Sequence, residues 1–591
     1  MFRAAIILYL CAQLAKVSGM EKENMTERNL TGYPSIDRPW LKYYSEEALN
    51  APLPEGSMYD YMTACNAGRM SETALNYFGR KISHRQLQTE IDRCARALVA
   101  SGVKPGDVVS LCMLAMPEAV YLLYAVNKLG AVANLLSPIC TDETMKEQIL
   151  STDSKLVIAN DVIAGKVSAA KAAKPDIQIV TVSLAQSAPM PLVLFLRMKG
   201  PKLSVPHTNW NQFISRGKNR VLPEVHPTCE DIAVIEYTGG TTGEPKGVLL
   251  SNLAGNVSAQ NYQLAGSIMD FAEGQKFLDI IPPFLAYGLY IGIHMPLCIG
   301  FCDILSPDTA YESFPKLLMK FKPQHFSGGA LHIDYLMKDA KIARSDLSFV
   351  LTASYGEDMT NSGWEADASA FLMSHGMKYG LLKGYGLTEM AGAFCASAHR
   401  TSGMVPFVRN NVMILDVDAQ KELTYGQEGE ICVSSPTMMK GYDQNEAATN
   451  EIIFEKNGQR WMHTGDLGHV TEEGILVISG RLKRIFWAIG ANKISYRVYP
   501  MAIEKVISSH AAVKQCAVVG KADGERGYLV VAYVVPHRND DWQHVQEELA
   551  ELCRKELSET SWPYVYHPMD KLPTTPAGKV DYRTLEQMAA K

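Results

Sequence analysis

The sequence predicts an α/β fold: a large N-terminal domain of parallel α/β sheets with a small β-rich subdomain, followed by a small α+β C-terminal domain. Three observations carry this expectation. The chain has 591 residues, more than one hydrophobic core ordinarily serves. Apolar runs of strand length alternate with helical stretches through the body of the chain, the pattern of βαβ units. The pattern then changes twice, to short strands and turns from Leu423 and to a mixed segment after Arg484. That last segment is about a hundred residues, the size of a small domain.

The elements follow in order. The opening stretch "MFRAAIILYLCAQLAKVSGM" has a basic Arg3, an apolar run from Ala4 to Ala15 and small residues before Met20. It resembles a secretory signal and is too short to span a bilayer. Residues 1–19 therefore read as a leader or as a mis-assigned start. A start at Met20 is favoured, because scattered cysteines and phosphate chemistry suit the cell interior. "DVVSLCMLAMPEAVYLLYAVNKLGAVANLLSP" (Asp107 to Pro138) reads as strand, helix, strand, with Pro117 opening the helix and Gly130 ending it. "SKLVIANDV" with "IQIVTV", and "KLLMKFKPQHFSGG", repeat the theme. "MPLVLFLRMKG" (Met190 to Gly200) reads as a packed connector, at most a peripheral membrane contact.

"LTYGQEGEICVSS" and "GILVISGRLKRI" supply the short strands of the subdomain. Beyond them come a helix near "YPMAIEKVISSH", strands "VKQCAVVG" and "YLVVAYVVP", a helix from Asp541 to Leu557 and a loop "LPTTPAGKVDYRTL". The expected division is 20–480 for the N-terminal domain and 481–591 for the C-terminal one.

Composition removes several function classes. A net charge of -6 argues against a general nucleic-acid binder, which carries a basic surplus. The 12 cysteines include no CxxC pair, so neither a zinc motif nor a disulfide framework is expected. Free thiols in a large chain suit a reducing cytoplasm.

The chemistry gathers first in "YTGGTTGEPKGVLLSN" (Tyr237 to Asn252). A Walker loop needs GxxxxGK followed by Ser or Thr, but here Lys246 lies between Pro245 and Gly247. The physics of phosphate binding survives that failure. Glycines let backbone amides share one concavity, and threonine hydroxyls add donors. Thr238, Gly239, Gly240, Thr241, Thr242 and Gly243 would hold phosphate, with Lys246 supplying charge. A plain flexible glycine turn is the bland alternative.

This stretch resembles the signature of the adenylate-forming enzymes, the family of acyl-CoA synthetases, luciferases and peptide-synthetase adenylation domains. Five further stretches are similar to family motifs in the same order: "GYGLTE", "GYDQNEAATNE", "WMHTGDLG", "GRLKR" and "LPTTPAGKVD". The resemblance runs from about Thr73 to Leu585. It implies ATP, Mg²⁺ and coenzyme A as cofactor and co-substrates, a small-molecule carboxylic acid as substrate and no nucleic acid. It implies Gly384 and Tyr385 at the adenine, with Tyr385 stacking on the base. Thr388 and Glu389 are implied as catalytic, with Thr242 and Glu389 on the metal; a carboxylate is a hard oxygen ligand for Mg²⁺. Asp466, read as lying at a strand end, would accept the ribose hydroxyls, with Arg481 as a second ribose contact. Lys579 would bridge the substrate carboxylate and the α-phosphate, where attack of one anion on another needs a cation. Arg484 stands at the hinge about which the C-terminal domain turns.

The sequence also departs from the family pattern. Arg484 stands where the hinge is usually acidic or lysine. Trp487 replaces a second lysine that assists thioester formation in many coenzyme A ligases. "KISYR" looks like an insertion between Asn492 and "VYPMAIE", so Trp487, Gly490 and Asn492 mark the coenzyme A region. Leu285 replaces a frequent histidine and Tyr355 a usual glycine. Together with Tyr287 and Gly356 they are the expected acyl pocket, reshaped by the bulk of Tyr355. The leading expectation is an acyl-CoA synthetase. A ligase that passes its adenylate to a carrier-protein thiol or an amine is the alternative, and a non-catalytic nucleotide- or acyl-binding regulator is the alternative of another class.

Overall fold

The computed structural model describes residues 30–190, 193, 206–238, 245–356, 362–489, 493, 495–524, 526–537, 541–574 and 579–591. Among them the strands form four sheets. A nine-stranded sheet runs, in spatial order, Met404–Pro406, Gly392–Ser397, Leu382–Leu387, Thr352–Gly356, His325–Gly329, Lys276–Asp279, Cys302–Leu305, Thr73–Tyr77 and Arg80–Ser83. Its inner strands are parallel and both margins turn antiparallel. An eight-stranded sheet runs Gly441–Tyr442, Gly247–Ser251, Ile232–Tyr237, Val132–Leu135, Val108–Cys112, Leu156–Asn160, Gln178–Val182 and Thr208–Asn209. It is parallel from Ile232–Tyr237 onward.

Local chemistry explains these elements. Helix Pro117–Lys128 begins on a proline whose missing N–H costs nothing at that position. Gly130, at φ 66°, turns the chain into Val132–Leu135 in a conformation that only glycine adopts freely. Helix His84–Ala100 is closed by a capping box, with Ser83 accepting from the Gln86 amide and the Gln86 side chain accepting from Ser83. Helix Asn252–Leu264 is buried along nearly its whole length despite several polar side chains. Some of those side chains are satisfied by neighbouring elements: Asn252 accepts from the Met58 amide and the Asn127 amide group, and Ser258 donates to the Ala391 carbonyl.

The small subdomain is a sheet ordered Asn411–Leu415, Gly429–Ser434, Gln459–Val470, Ile453–Lys456, with Leu476–Arg481 also paired to Gln459–Val470. The C-terminal sheet is ordered Ser495–Val498, Phe486–Ile489, Gly527–Pro536, Val513–Asp523, with Val565–Pro568 parallel to Gly527–Pro536. Helices Pro500–Ser508 and Trp542–Glu556 bury Ile503, Ile507, Val545 and Leu549 on one side of it, and Tyr582–Ala590 buries Leu585 and Ala589 in a separate cluster.

Three details differ from expectation. Asp466 lies inside the twelve-residue strand Gln459–Val470 rather than at a strand end. The "KISYR" insertion contributes part of a strand, Ser495–Val498, which pairs antiparallel with Phe486–Ile489 and sets Trp487 opposite Arg497. The end of the supposed "LPTTPAGKVDYRTL" loop is helical from Tyr582, capped by Asp581 accepting from the Thr584 amide. The leader (1–19) and most of Met190 to Gly200 lie outside the described residues.

Candidate active site

A strand of the nine-stranded sheet, through Tyr385, and two strands of the small subdomain meet at Asp466. Asp466 is 2% exposed. Its strand neighbour across Gln459–Val470 and Leu476–Arg481 is Arg481, whose Nε donates to Asp466 Oδ1 at 2.7 Å. On the other side the Tyr385 hydroxyl donates to Oδ2 at 2.5 Å. Burial raises the Asp466 carboxyl, while Arg481, the Tyr385 hydroxyl and the charge of Lys579 pull it back down. The net direction is upward. Lys579 belongs to the last stretch of the chain, and its charge acts on Asp466 across 113 residues of sequence.

Tyr385 is held from two directions. Its ring meets Phe394 edge to face at 4.7 Å. Burial and the neighbouring Asp466 charge push its hydroxyl well above the usual tyrosine range, so it stays protonated and remains the donor. The backbone is tight behind it: a Cβ on Gly386 would stand 2.0 Å from the Gly392 carbonyl oxygen, so only glycine fits there.

The glycine-rich loop leaves strand Ile232–Tyr237 and returns in Gly247–Ser251. Gly239, Gly240, Thr241, Thr242 and Gly243 lie outside the described residues. The foot of the loop is closed by a reciprocal pair, the Thr238 amide donating to the Lys246 carbonyl and the Lys246 amide to Thr238 Oγ1, each at 3.1 Å. The Lys246 ammonium stands 4.6 Å above the centroid of Tyr442, a cation–π contact. The Tyr442 hydroxyl in turn donates to Glu389 Oε1 at 2.7 Å. Glu389 and Thr388 occupy the 3-10 turn that follows Leu382–Leu387, and the Glu389 carbonyl accepts from the Met439 amide at 2.8 Å. The structure thus joins Lys246 to Glu389 through Tyr442. Sequence reasoning passed over Tyr442, although it stands in the quoted "GYDQNEAATNE".

Two more residues were missed. Glu430 Oε2 takes His463 Nδ1 at 2.8 Å, and its Oε1 accepts from the Gly465 amide at 3.1 Å. This fixes the turn of backbone, with Gly465 at φ 71°, that presents Asp466. Cys432 lies 3.6 Å from His463, and these three are the trio of metal-capable side chains that comes together among the described residues. The Glu430–His463 pair accounts for the arrangement. The signal was available, since Glu430 and Cys432 alternate in a strand whose partner carries His463.

The expected acyl residues divide. Leu285 is partly buried against both large hydrophobic clusters. The Tyr287 hydroxyl lies 2.6 Å from Ser327, which is 2.6 Å from Ser354, and a Cβ on Gly356 would stand 3.5 Å from the Tyr287 ring. Tyr355 does not join them. Alternation along Thr352–Gly356 turns it to the opposite face, where its hydroxyl donates to Glu365 at 2.5 Å, Lys383 pairs with the same carboxylate at 2.6 Å and its ring meets Trp364 edge to face. Tyr355 thus faces away from Tyr287 and Gly356.

Arg484 and Trp487 lie in the C-terminal unit. Arg484 pairs with Glu504, donates to the Val518 carbonyl at 3.3 Å and stacks 3.7 Å over the Tyr582 ring. Trp487 is 48% exposed, with the Arg497 guanidinium 5.0 Å above its ring. Arg497 reaches back to pair with Asp418 in the small subdomain. Gly490 and Asn492 lie outside the described residues. Among the described residues no helix is long and apolar enough to cross a membrane.

Comparison with known proteins agrees with this geometry. Residues 63–443 match the model of the AMP-binding enzyme family, and residues 502–579 that of the AMP-binding enzyme C-terminal domain. A long-chain-fatty-acid–CoA ligase of Bacillus subtilis is 28% identical over 565 residues, covering 93% of this chain and 97% of that one. The 4-coumarate–CoA ligase 1 of Petroselinum crispum is 25% identical, covering 85% and 88%. Among solved structures, ATP-bound MatB from Rhodopseudomonas palustris superposes with a TM-score of 0.75 over 90% of this chain and 99% of that one, at 21% identity. The chain belongs to the AMP-binding enzyme family.

Proposed function

We propose that the protein is an acyl-CoA synthetase. A carboxylate attacks the α-phosphorus of ATP, giving an acyl-adenylate and releasing pyrophosphate. The thiol of coenzyme A then attacks the acyl carbon and AMP leaves. The observation that carries this reading is buried Asp466, held between the Arg481 guanidinium and the Tyr385 hydroxyl, with the charge of Lys579 acting on the same carboxyl.

Each residue has a role in keeping with its surroundings. Asp466 accepts the ribose hydroxyls, and Arg481 keeps the carboxylate ionised against the cost of burial. Tyr385 lies against the adenine, its ring orientation already fixed by Asp466 and Phe394. The loop from Thr238 to Gly243 and Lys246 cradles the β- and γ-phosphates. Glu389, with Thr242, would hold Mg²⁺, and the fit is sound because Tyr442 orients the Glu389 carboxylate, an oxygen donor of the kind that ion prefers. When bound, Mg²⁺ neutralises phosphate charge. Lys579 orients the attacking carboxylate and stabilises the charge that develops at the α-phosphate.

The C-terminal domain, residues 481–591, turns between the two steps. Arg484 marks the hinge, and its contacts with Glu504 and Tyr582 fasten that end of the linker to the domain. Leu285, Tyr287 and Gly356 border the acyl group. The described cysteines form no disulfide, in keeping with a cytoplasmic setting.

The test measures pyrophosphate release over a panel of aliphatic and aromatic acids, then adds coenzyme A and assays thioester. Acid-dependent pyrophosphate release followed by coenzyme A-dependent thioester is expected. Pyrophosphate without thioester would point to another acceptor, a carrier thiol or an amine. No pyrophosphate with any acid would remove the catalytic reading.

A further inference from the structure

Both large sheets end, away from the candidate active site, at one cleft. Strand Arg80–Ser83 is the last of the nine-stranded sheet, and Thr208–Asn209 is the last of the eight-stranded sheet. From Ile232–Tyr237, which feeds the nucleotide loop, to Thr208–Asn209 there are five strand spacings, roughly 24 Å at ~4.8 Å each. The cleft between the two edges has a volume of about 580 Å³, within the range of small-molecule sites.

Its chemistry is cationic. Arg80, Arg93, Arg96, Lys218 and Arg220 line it, against Glu90 and Glu118. Glu90 is spent on Arg93, which it holds through both oxygens at 2.7 and 3.0 Å. Among the described residues, Arg96, Lys218 and Arg220 meet no carboxylate within ion-pair distance, although the chain as a whole is acidic. Unpaired cations concentrated in a concavity raise the local concentration of anions.

The floor supplies a second, independent observation. Glu118, 2% exposed, accepts from the Ser187 hydroxyl through Oε1 at 2.6 Å, while its Oε2 has no hydrogen-bond partner among the described residues. The Ser187 carbonyl takes Arg80 Nη1 at 3.3 Å, so the floor and the cationic wall are one connected structure. A buried carboxyl oxygen with nothing to accept is costly, and a ligand hydroxyl is the group that satisfies it. A bare inorganic anion uses the wall but not the floor.

We infer that this cleft is a second binding site, for a phosphate ester that also carries free hydroxyls, such as a phosphorylated sugar or polyol, whether free or as the headgroup of a lipid. The phosphates lie against Arg96, Lys218 and Arg220, and a hydroxyl donates to Glu118 Oε2.

Isothermal titration of the full chain with inositol bisphosphate, without ATP or coenzyme A, tests the site. Saturable binding that weakens with salt is expected. The combined R96A, K218A and R220A variant should lose affinity by roughly ten-fold or more and keep its thermal midpoint and its ATP-dependent activity. Glu118→Gln should weaken inositol bisphosphate while leaving inorganic phosphate binding unchanged. Flotation with phosphatidylcholine vesicles, plain or doped with a phosphatidylinositol phosphate, distinguishes the sources: selective binding of doped vesicles assigns the lipid headgroup, and titration without vesicle binding assigns the free ester. Absence of titration heat, or an unchanged affinity in the triple variant, overturns the inference. So does binding that survives the triple substitution and is lost in Lys246→Ala, which would place the probe on the nucleotide loop.

Discussion

Arg481 and Arg484 stand three residues apart in "GRLKR" and do opposite things. Arg481 is about half exposed, ends a strand of the small subdomain and points its Nε at buried Asp466. Arg484 is largely covered and spends its charge on Glu504 and the Tyr582 ring, both of the C-terminal unit. One arginine therefore serves a functional carboxylate from the solvent side, and the other is a structural pin. The difference shows that identical side chains in one short motif are assigned by what lies across from them.

The largest expected effect lies with Lys579, which acts on the Arg481 side of this contrast although it belongs to the Arg484 side. Lys579→Ala should lower the rate of acid-dependent pyrophosphate release by on the order of 10²- to 10³-fold, the loss typical of one preorganised charge. ATP binding, read by titration, should change little. Pyrophosphate release at the parent rate would remove Lys579 from the chemistry.

Next in size is the structural pin. Arg484→Met leaves Glu504 partly buried without its cation, and Glu504 Oε1 also holds the Val518 amide at 2.7 Å. Removing one partner of such a pair costs about 3 kcal/mol, discounted somewhat because Glu504 is 14% exposed. A lowered thermal midpoint with near-parent nucleotide affinity is expected. Arg481→Ala also strips the cation from a buried carboxylate, Asp466, so its thermal midpoint should fall too, but here a raised KM for ATP accompanies the loss. If both variants behave alike, the contrast fails.

The pH dependence sharpens the Arg481 side. Burial raises the Asp466 carboxyl, so its ionisation costs stability as pH rises through the folded-state range, and the protonated form is the one favoured by burial. The ionised form is the one that accepts ribose hydroxyls. The KM for ATP should therefore climb as pH falls toward that range, and Arg481→Ala should move the inflection to higher pH. An inflection that stays in place would show that Arg481 does not tune Asp466.

The smallest effect is expected at Trp487. Its contact with Arg497, and the exposed Arg497–Asp418 pair, are each worth about 0.5–1 kcal/mol. Trp487→Ala should leave pyrophosphate release unchanged and alter thioester formation by a few-fold, read by single-turnover transfer to coenzyme A. A change confined to the first half-reaction would place Trp487 elsewhere in the cycle.

Much of this was legible in the sequence where the signal is local. Asp107 to Pro138 reads directly as strand, helix and strand, since Pro117 and Gly130 punctuate it. Tyr385, Glu389, Asp466 and Lys579 announce themselves in short motifs. What the sequence withheld depends on register between distant strands. Nothing local says that Asp466 faces Arg481, or that Glu430 reaches the Gly465 amide, because antiparallel pairing decides both. Tyr355 is a different case. The alternation of Ser354, Tyr355 and Gly356 already separates them onto two faces, and the bulk of the tyrosine drew attention away from that period-two rule.

The chain from Lys246 through Tyr442 to Glu389 has a mechanical consequence. Tyr442 belongs to a strand of only two residues, Gly441–Tyr442, at the margin of the eight-stranded sheet. One phenol there touches both a cation and a carboxylate, so a displacement of the tyrosine disturbs both contacts at once. If Lys246 meets phosphate and Glu389 meets the metal, as proposed above, the tyrosine is the crossbar between grip and metal.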